Sequence, residues 1–426
     1  MVKNVLIIGS GAREHALGWK LKQSKKVGKV YFAPGSFGTE EVGESTNISI
    51  FDHEALIKFA IKNNIYLTVA GPDDALAAGI VNAFQTKKLK IFGPTKEAAQ
   101  IEASKAFAKK LMKENNIPTA KYETFTDFTK AKKYIQKQPL PIVIKASGLA
   151  LGKGVIIAKT LEEAKKTLED IMVKKIFGDA GSEIIIEEFM EGKEVSIHAF
   201  SDGENVVLFP TSRDYKTIFE NNIGPNTGGM GTIAPLPAII DKQLEEIKNT
   251  IVIPAIKGMK NHGTPFVGCL YPGLMMTKDG PKVVEYNCRF GDPEIESYMR
   301  LLETDLFDIL TACLDGTLDK QKITWSKNSA CCIVLASATY PAGSHKGDII
   351  HGLKKIRDED IIVFHFATKK ENDKLVTNGG RVLGITATGK NLDEALDKAY
   401  AIIGEKGIHF DGMQYRRDIG RVQNKQ

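Results

Sequence analysis

Residues 282–294 read KVVEYNCRFGDPE, and their period-two alternation is where the fold can be read first. Val284, Tyr286, Cys288 and Phe290 fall on one face of a strand, and Glu285, Asn287 and Arg289 fall on the other. Gly291-Asp292-Pro293 then breaks the strand. Upstream, Cys269 to Thr277 is a second apolar run and Lys278-Asp279-Gly280-Pro281 is the turn, so the pair reads as a β-hairpin. A carboxylate and an amide oxygen two residues apart are hard oxygen donors that suit Mg²⁺. An Arg beside them suits a carboxylate. A half-buried strand with a solvated polar face shows the same alternation, so these residues alone leave both readings open.

The chain has 426 residues, long enough for two to four domains. A hydrophobic fraction of 42% and a charged fraction of 26% are those of an ordinary globular protein with real cores. The net charge of +6 is small for this length and the basic residues are spread out, which argues against a nucleic-acid partner. The five Cys form no CxxC pair and stand at no metal-ligand spacing with His, so they read as small apolar residues in a reducing compartment. The start, MVKNVLIIGSGAREH, enters a strand at once without a signal-peptide pattern, and no apolar run approaches a bilayer span. A cytoplasmic enzyme with no membrane partner is expected.

Asn4 to Gly9 is a continuous apolar run, the mark of a buried parallel strand. Gly9-Ser10-Gly11-Ala12-Arg13-Glu14 leads into a helical pattern at Ala16 to Leu21, an arrangement whose first N–H groups can hold an anion. Strands at Lys29 to Ala33, Leu67 to Gly71 and Leu89 to Gly93 complete an α/β alternation over about the first hundred residues. The GxGxxG fingerprint is incomplete, because Glu14 stands at its third glycine. No acidic residue ends the second strand, so nicotinamide binding is disfavoured. A phosphate at Gly9 to Arg13 is the favoured reading, with a plain tight turn as the alternative.

Ala98 to Lys113 reads as a helix carrying Lys105, and Ile142 to Lys145 as a buried strand ending on a Lys. The loop Gly148 to Gly154 holds Lys153 and precedes the strand Val155 to Ala158; it is no Walker loop, since a strand follows it. Thr160 to Val173 is an amphipathic helix, and Glu183 to Phe189 is a deeply buried strand ending near Glu187 and Glu188. Strands follow at Val195 to Phe200 and Val206 to Pro210. Gly224-Pro225-Asn226-Thr227-Gly228-Gly229-Met230-Gly231 is expected to form neither helix nor strand, but to bring backbone close to a ligand. Helices are expected at Asp241 to Asn261, Ile295 to Leu314 and Leu392 to Ile403. Strands at Ala330 to Ala338, Ile349 to Leu353, Ile361 to Ala367 and Gly380 to Ala387 suggest a separate α+β module from about 330.

Two strand- and helix-borne lysines, a glycine-rich flap, carboxylates near Glu187 and Glu194 and the Glu285/Asn287 pair describe a nucleoside triphosphate held with Mg²⁺. In their joint order the segments GSGAREHA, IFGPTKEAAQIEASKAFAK, PIVIKASGLALGKGV, IIIEEFMEGKEVS, GPNTGGMG, VVEYNCRFGDPE, TNGGRV and YRRDIG resemble the phosphoribosylamine–glycine ligase (glycinamide ribonucleotide synthetase) family of the ATP-grasp superfamily across the whole chain. The resemblance implies an α/β and α+β multidomain protein. Its parts would be a Rossmann-like pre-ATP-grasp domain (1–103), an ATP-grasp core (104–122 and 192–327), a small lid (123–191) and a C-terminal α+β cap (328–426). It also implies small-molecule substrates: ATP, glycine and 5-phosphoribosylamine. They would be joined through glycyl phosphate into glycinamide ribonucleotide, ADP and phosphate, early in purine synthesis. A monomer is expected.

By the same resemblance, Lys105 and Lys145 would hold ATP phosphates, and Gly148, Gly152 and Lys153, in the lid flap Gly148 to Gly154, would also be ATP-binding. Glu187 and Phe189 would meet adenine and Glu194 the ribose. Glu285 and Asn287 would bind Mg²⁺, or Mn²⁺ in its place. Arg289 would grip the glycine carboxylate and Asp214 its ammonium, with Gly228 and Gly229 beside the acyl phosphate. Gly9, Gly11, Arg13, Asn226 and Thr227 would line the substrate side. The chain departs from the family pattern at Asp73, Ala12, Ser147, Tyr215, Thr217 and Ile295-Glu296, where Glu, Gly, Asp, His, Arg and Thr-Gln are usual. Several of these line the inferred substrate side, and none is an inferred ATP or metal residue. A ligase for another carboxylate and amine, or a nucleotide-binding protein without turnover, remains compatible with the residues alone.

Overall fold

The run Asn4 to Gly9 is the strand Lys3–Gly9, with Val5 to Ile8 fully buried. In the computed structural model, which describes residues 2–150, 154–356 and 358–421, this strand lies in the middle of a five-stranded parallel sheet. The order is Glu44–Ser45, Val27–Pro34, Lys3–Gly9, Ile65–Ala70, Ile91–Phe92. Strand order reverses at Lys3–Gly9, so Gly9 ends at the switch point where open α/β sheets take ligands.

A four-stranded antiparallel sheet follows, ordered Tyr122–Phe125, Ile184–Glu188, Ile142–Ala146, Val155–Ala158. The helices Phe128–Ile135 and Leu161–Leu168 cover it around a small core of its own that includes Ile135, Ile144, Leu168 and Ile184. The next sheet is built on the long strand Val267–Thr277, which pairs with Lys193–Ser196, Ala199–Asp202 and Gly280–Asn287. The expected hairpin at 269–287 is therefore present.

Its second strand carries a β-bulge. Gly273 pairs with Glu285 and Leu274 with Val283, which leaves Val284 without a ladder partner. One extra residue shifts the alternation. Val283, not Val284, joins the core with Tyr286 and Cys288, and Val284 is only half-buried. Glu285 and Asn287 still share a face, as expected.

Side-chain caps correct two helices. The single helix expected at Ile295 to Leu314 is two, Glu294–Leu301 and Leu306–Leu314. Asp305 caps the second by accepting the Phe307 N–H at 3.0 Å and is itself held by the Ser24 hydroxyl at 2.6 Å. Likewise Ser104 is extended, caps Lys105–Glu114 and separates it from Gln100–Ala103. Backbone pairing corrects one expected loop and one expected strand. Ile223–Asn226 pairs with Thr217–Phe219 as a two-stranded ribbon and Gly231–Ala234 is a strand, so only residues 227–230 lack regular structure. Ile349 to Leu353 makes only isolated bridges, because Gly352 at φ +88° turns the chain away.

The last sheet is ordered Arg213–Asp214, Gly231–Ala234, Ser329–Ala336, Arg381–Gly389, Ile361–His365. Two of its strands come from the middle of the chain, so the C-terminal unit is not closed on its own residues. Leu392–Ala401 packs on it. The helix Glu294–Leu301 lies buried between this sheet and the N-terminal helix Ala12–Leu21, sharing one core with Leu17 and Phe364. All five Cys are buried and free.

The first and last units also meet at two imidazoles. The His365 N–H donates to His15 Nδ1 at 3.2 Å, and the Glu41 carboxylate lies 3.9 Å from His15 and 3.6 Å from His365. Burial, with His365 nearby, holds His15 down to about 3, and burial holds His365 down to about 4. Both are neutral when folded and take up protons on unfolding below the ordinary value of 6.5. Their contribution is complete above that value and is lost as pH falls towards 4 and then 3. The urea midpoint should therefore drop across this range, and His15→Gln should flatten the drop; a slope unchanged in His15→Gln would exclude His15 as its source.

Candidate active site

The buried strand Ile142–Ala146 delivers Lys145 to the gap between two sheets. Its ammonium is 2.9 Å from Glu187 Oε2 on the neighbouring strand and donates to the Val284 carbonyl at 2.9 Å. Val284 is the bulge residue, so the irregularity in the hairpin supplies the acceptor. The other Glu187 oxygen is 3.1 Å from Lys109 Nζ, which donates to Thr119 Oγ1 at 2.7 Å. Thr119 in turn donates to the Val283 carbonyl. Lys105, one helical turn before Lys109, donates to the Gly148 carbonyl at 3.4 Å. Burial lowers Lys105 and pushes Lys109 down to about 8, and Glu187 opposes both shifts.

On the hairpin, Glu285 faces Lys216 at 3.6 Å, and Lys216 lies 4.0 Å from Glu194. Burial alone would raise the Glu285 carboxyl; Lys216, Lys145 and Lys105 outweigh it and hold the group below its ordinary value. Asn287 donates to the Tyr271 carbonyl and accepts from Arg289 Nη2 at 3.2 Å. Arg289 Nη2 is also 3.3 Å from Glu102, whose other oxygen accepts the Cys288 N–H at 2.7 Å. The Arg289 Nε is buried without a hydrogen-bond partner among the described residues.

Asp214 is similar: its Oδ1 is buried and unpartnered, and burial, then Glu294, push its carboxyl well above the ordinary range. Gly229, at φ +109°, packs on it; a Cβ there would lie 2.4 Å from Pro293 Cδ and 2.6 Å from Asp214 Oδ1. Thr227 accepts the Gly229 N–H at 2.9 Å and binds the Lys216 carbonyl through its N–H and its hydroxyl, both at 2.7 Å. Gly228 donates to Tyr340 OH, and its carbonyl accepts from Arg381 Nη1 at 2.6 Å. Arg381 also binds the Asp292 carbonyl and carboxylate, so it joins the glycine loop to the turn after the hairpin.

The structure brings Lys105, Lys145, Glu187, Glu194, Glu285, Asn287 and Arg289 together around one gap, with Asp214, Thr227, Gly228 and Gly229 alongside. Glu187 and Phe189 line a hollow of about 630 Å³ between the four-stranded sheet and the hairpin turn, where Lys121, Met190 and Lys282 also lie. Glu194 is not part of this hollow; it lines a second, small cavity with Asp214 and Lys216. Asn226 is exposed on the ribbon. Gly152 and Lys153 lie outside the described residues. At the N-terminal sheet the expected open helix start is partly filled: Glu14 accepts the Gly11 N–H at 2.8 Å and binds Arg13 Nε at 2.6 Å. Glu14 also packs against Gly9, so a Cβ there would meet it.

Sequence reasoning missed Lys109, Lys216, Glu102 and Arg381. The four-residue spacing from Lys105 could have found Lys109, since one helix carries both. Lys216 stands two residues from Asp214, which could have marked it. No local signal joins Glu102 to Arg289 or Arg381 to Gly228.

Glu285 and Asn287 fit a divalent cation by donor chemistry, as oxygen donors on one strand face with Glu285 ionised. Among the described residues no group of three or more His, Cys, Asp or Glu side chains is arranged to hold a metal ion. The protein would thus supply two donors and leave the rest to phosphate oxygens and water, the usual economy at Mg²⁺–nucleotide sites.

A lid-like sheet with an inward Lys, a second Lys at a helix start and a carboxylate–amide pair on a facing hairpin define an ATP-grasp enzyme. Family models of phosphoribosylglycinamide synthetase match its N domain at residues 3–102, its ATP-grasp (A) domain at 103–295 and its C domain at 330–422. The chain belongs to this family. It is 47% identical over 420 residues to the phosphoribosylamine–glycine ligase of Vibrio vulnificus (strain YJ016), covering 98% of this chain and 97% of the relative. The ligase of Caldanaerobacter subterraneus is 46% identical, covering 97% and 99%. The crystal structure of the Thermotoga maritima phosphoribosylamine–glycine ligase superposes with a TM-score of 0.85 at 33% identity, covering 98% of this chain and all of that one. The biotin carboxylase domain of Hydrogenobacter thermophilus 2-oxoglutarate carboxylase shares the fold, with a TM-score of 0.75 at 15% identity and coverage of 97% and 92%.

Gly229→Ala tests the close packing of this loop. The added methyl must displace Pro293 or Asp214, so turnover should fall by about 10- to 100-fold. Steady-state kinetics at saturating substrate measure this, and unchanged turnover would show that the loop has room to give.

Proposed function

We propose that the chain couples ATP hydrolysis to the joining of glycine and 5-phosphoribosylamine, giving glycinamide ribonucleotide, ADP and phosphate in de novo purine biosynthesis. The observation that carries the reading is the pair of buried, unpartnered groups beside the lysine-lined gap: Asp214 Oδ1 and Arg289 Nε. One suits an ammonium and the other a carboxylate, the two ends of an amino acid. Both groups lie within electrostatic reach of Glu294. An ammonium against Asp214 would return its carboxyl to the ionised form.

In the first step a glycine carboxylate oxygen attacks the γ-phosphorus of ATP and ADP leaves, forming glycyl phosphate. Lys105 and Lys145 hold the phosphates, and Glu187 and Phe189 border the adenine hollow with Glu194 towards the ribose. Glu285 and Asn287 would hold Mg²⁺, or Mn²⁺, which when bound offsets phosphate charge. In the second step the amine of phosphoribosylamine attacks the acyl carbon, phosphate departs and the amine loses a proton. The Gly228-Gly229 backbone faces the acyl phosphate. Gly9, Gly11, Arg13, Asn226 and Thr227 border the phosphoribosyl side, where Glu14 must give way at Gly11 or share it. Phosphoryl transfer of this kind is mostly positioning and charge neutralisation, which matches a site built of fixed ammoniums and glycine backbone.

We assign residues 1–103 to the pre-ATP-grasp domain, 123–191 to the lid, 104–122 with 192–327 to the core and 328–426 to the cap. The lid's separate sheet and core support the lid as a unit, while the cap shares its sheet with two strands of the core. Among the described residues no helix is long and apolar enough to cross a membrane, which is compatible with work in the cytoplasm.

The direct test is phosphate release with ATP, glycine and freshly made phosphoribosylamine. Release should require all three, and release driven by another acid in place of glycine would redirect the reading. Glu285→Gln should lower turnover at least about 100-fold with the fold retained; near-parental activity would remove Glu285 from the metal site. Lys145→Ala should weaken ATP binding at least about tenfold by calorimetry, and an unchanged affinity would take Lys145 out of the phosphate site.

A further inference from the structure

The segment Tyr415 to Gly420 belongs to a motif of the sequence that the reaction site does not use. Arg416 in it is 1% exposed, and all five of its N–H donors are placed. Nε donates to Asp418 Oδ1 at 2.8 Å. Nη1 donates to the Thr217 hydroxyl at 2.8 Å and the Thr217 carbonyl at 3.2 Å. Nη2 donates to Asn222 Oδ1 at 3.1 Å and Asp418 Oδ2 at 2.7 Å. A guanidinium this fully engaged has no donor left for a substrate, and Asp418 supplies the counter-charge that its burial requires.

What Arg416 grips is the ribbon Thr217–Phe219/Ile223–Asn226. Ile223–Asn226 is exposed throughout, and a lone two-stranded ribbon is marginal in water. The tail adds further ties. The Asn221 N–H donates to Asp418 at 3.0 Å, the Arg417 N–H to Glu220 at 3.2 Å and the Gly420 N–H to Tyr215 OH at 3.0 Å. The Arg416 guanidinium lies 5.2 Å from the centre of the Tyr215 ring. At the base of the ribbon stands Lys216, the partner of Glu285, and its carbonyl holds Thr227 and through it Gly229. A shift of Thr217 therefore moves the site ammonium and the glycine loop together. Tyr215 and Thr217 are also two positions where this chain departs from the pattern it resembles.

We propose that Arg416 is a positioning residue: clasping Thr217 and Asn222, it sets the ribbon so that Lys216 and the Thr227–Gly229 loop meet the amino acid and the amine. The proposal rests on the ligase reading of the site. It assigns the C-terminal tail a part chiefly in the amino-acid half of the reaction; the clasp reaches the nucleotide side only through Lys216 and its partners Glu285 and Glu194.

The test compares full-length parent, Thr217→Val and Arg416→Lys. Thr217→Val keeps the side-chain shape and removes one acceptor; Arg416→Lys keeps the charge and loses the fork. Thr217→Val leaves a buried guanidinium N–H without its hydroxyl acceptor, so its thermal midpoint should fall slightly, while its KM for ATP should change less than its kinetics with glycine and phosphoribosylamine. Its kcat/KM for glycine and phosphoribosylamine should fall about tenfold, and its amides at 217–229 should exchange faster with deuterium. Arg416→Lys should show the same pattern with a larger loss. Parental kcat/KM in both variants, a loss shared equally by ATP, or unchanged exchange at 217–229 would each overturn the proposal. If the parent releases no phosphate with glycine and phosphoribosylamine, the ligase reading fails instead, and the exchange comparison still decides whether Arg416 holds the ribbon.

Discussion

The ammonium of Lys145 binds a carboxylate on its own sheet and a backbone carbonyl on the next, and the site takes its shape from that double attachment. The carbonyl belongs to Val284, which the bulge leaves without a ladder partner. A regular hairpin would have turned Val284 inward and spent its backbone on the strand. The bulge instead moves Val283 into the core, keeps Glu285 and Asn287 on the open face and gives the lid-like sheet a point of anchorage. Glu187 does the rest, because its two oxygens separate two buried lysines that would otherwise repel.

Charge balance follows from the same place. Lys105, Lys109, Lys145 and Lys216 stand against Glu187, Glu194 and Glu285, an arrangement costly to bury unless each group has a partner. The cations crowd Glu285 enough to hold it ionised, while Asp214, deeper and beside Glu294, is pushed the other way. Two carboxylates in one site are thus shifted in opposite directions by their surroundings.

The C-terminal sheet takes part in this site rather than lying beside it. It takes Arg213–Asp214 as one edge strand and Gly231–Ala234 as the strand next to it, so Asp214 and the chain leaving the glycine loop are both part of it. Arg381 and Arg416 extend that hold, one to the Gly228 carbonyl and one to the ribbon. The buried helix Glu294–Leu301 then packs the N-terminal domain onto the same sheet. It contains Ile295 and Glu296, where the family resemblance is weakest. Both are fully buried, and neither Glu296 carboxylate oxygen has a hydrogen-bond partner among the described residues.

Local pattern was enough for much of this protein. Apolar runs and glycine turns marked the parallel sheet, the hairpin and the strand that ends on Lys145, because burial period and turn chemistry are properties of neighbours in sequence. The ordered motifs were enough to place the chain in its family. The rest needed the folded chain. The bulge at Val284 is a matter of register between two strands, and alternation within one strand carries no trace of it. The capping carboxylate of Asp305 is also held by a hydroxyl from Ser24, 281 residues away. Glu102 reaches Arg289, Lys216 reaches Glu285 and Arg381 reaches Gly228 only after sheets distant in sequence are packed together. Residue types and their spacing thus determined which chemistry the chain carries, and tertiary packing decided which groups stay charged, because a carboxyl's state depends on the neighbours that burial brings to it.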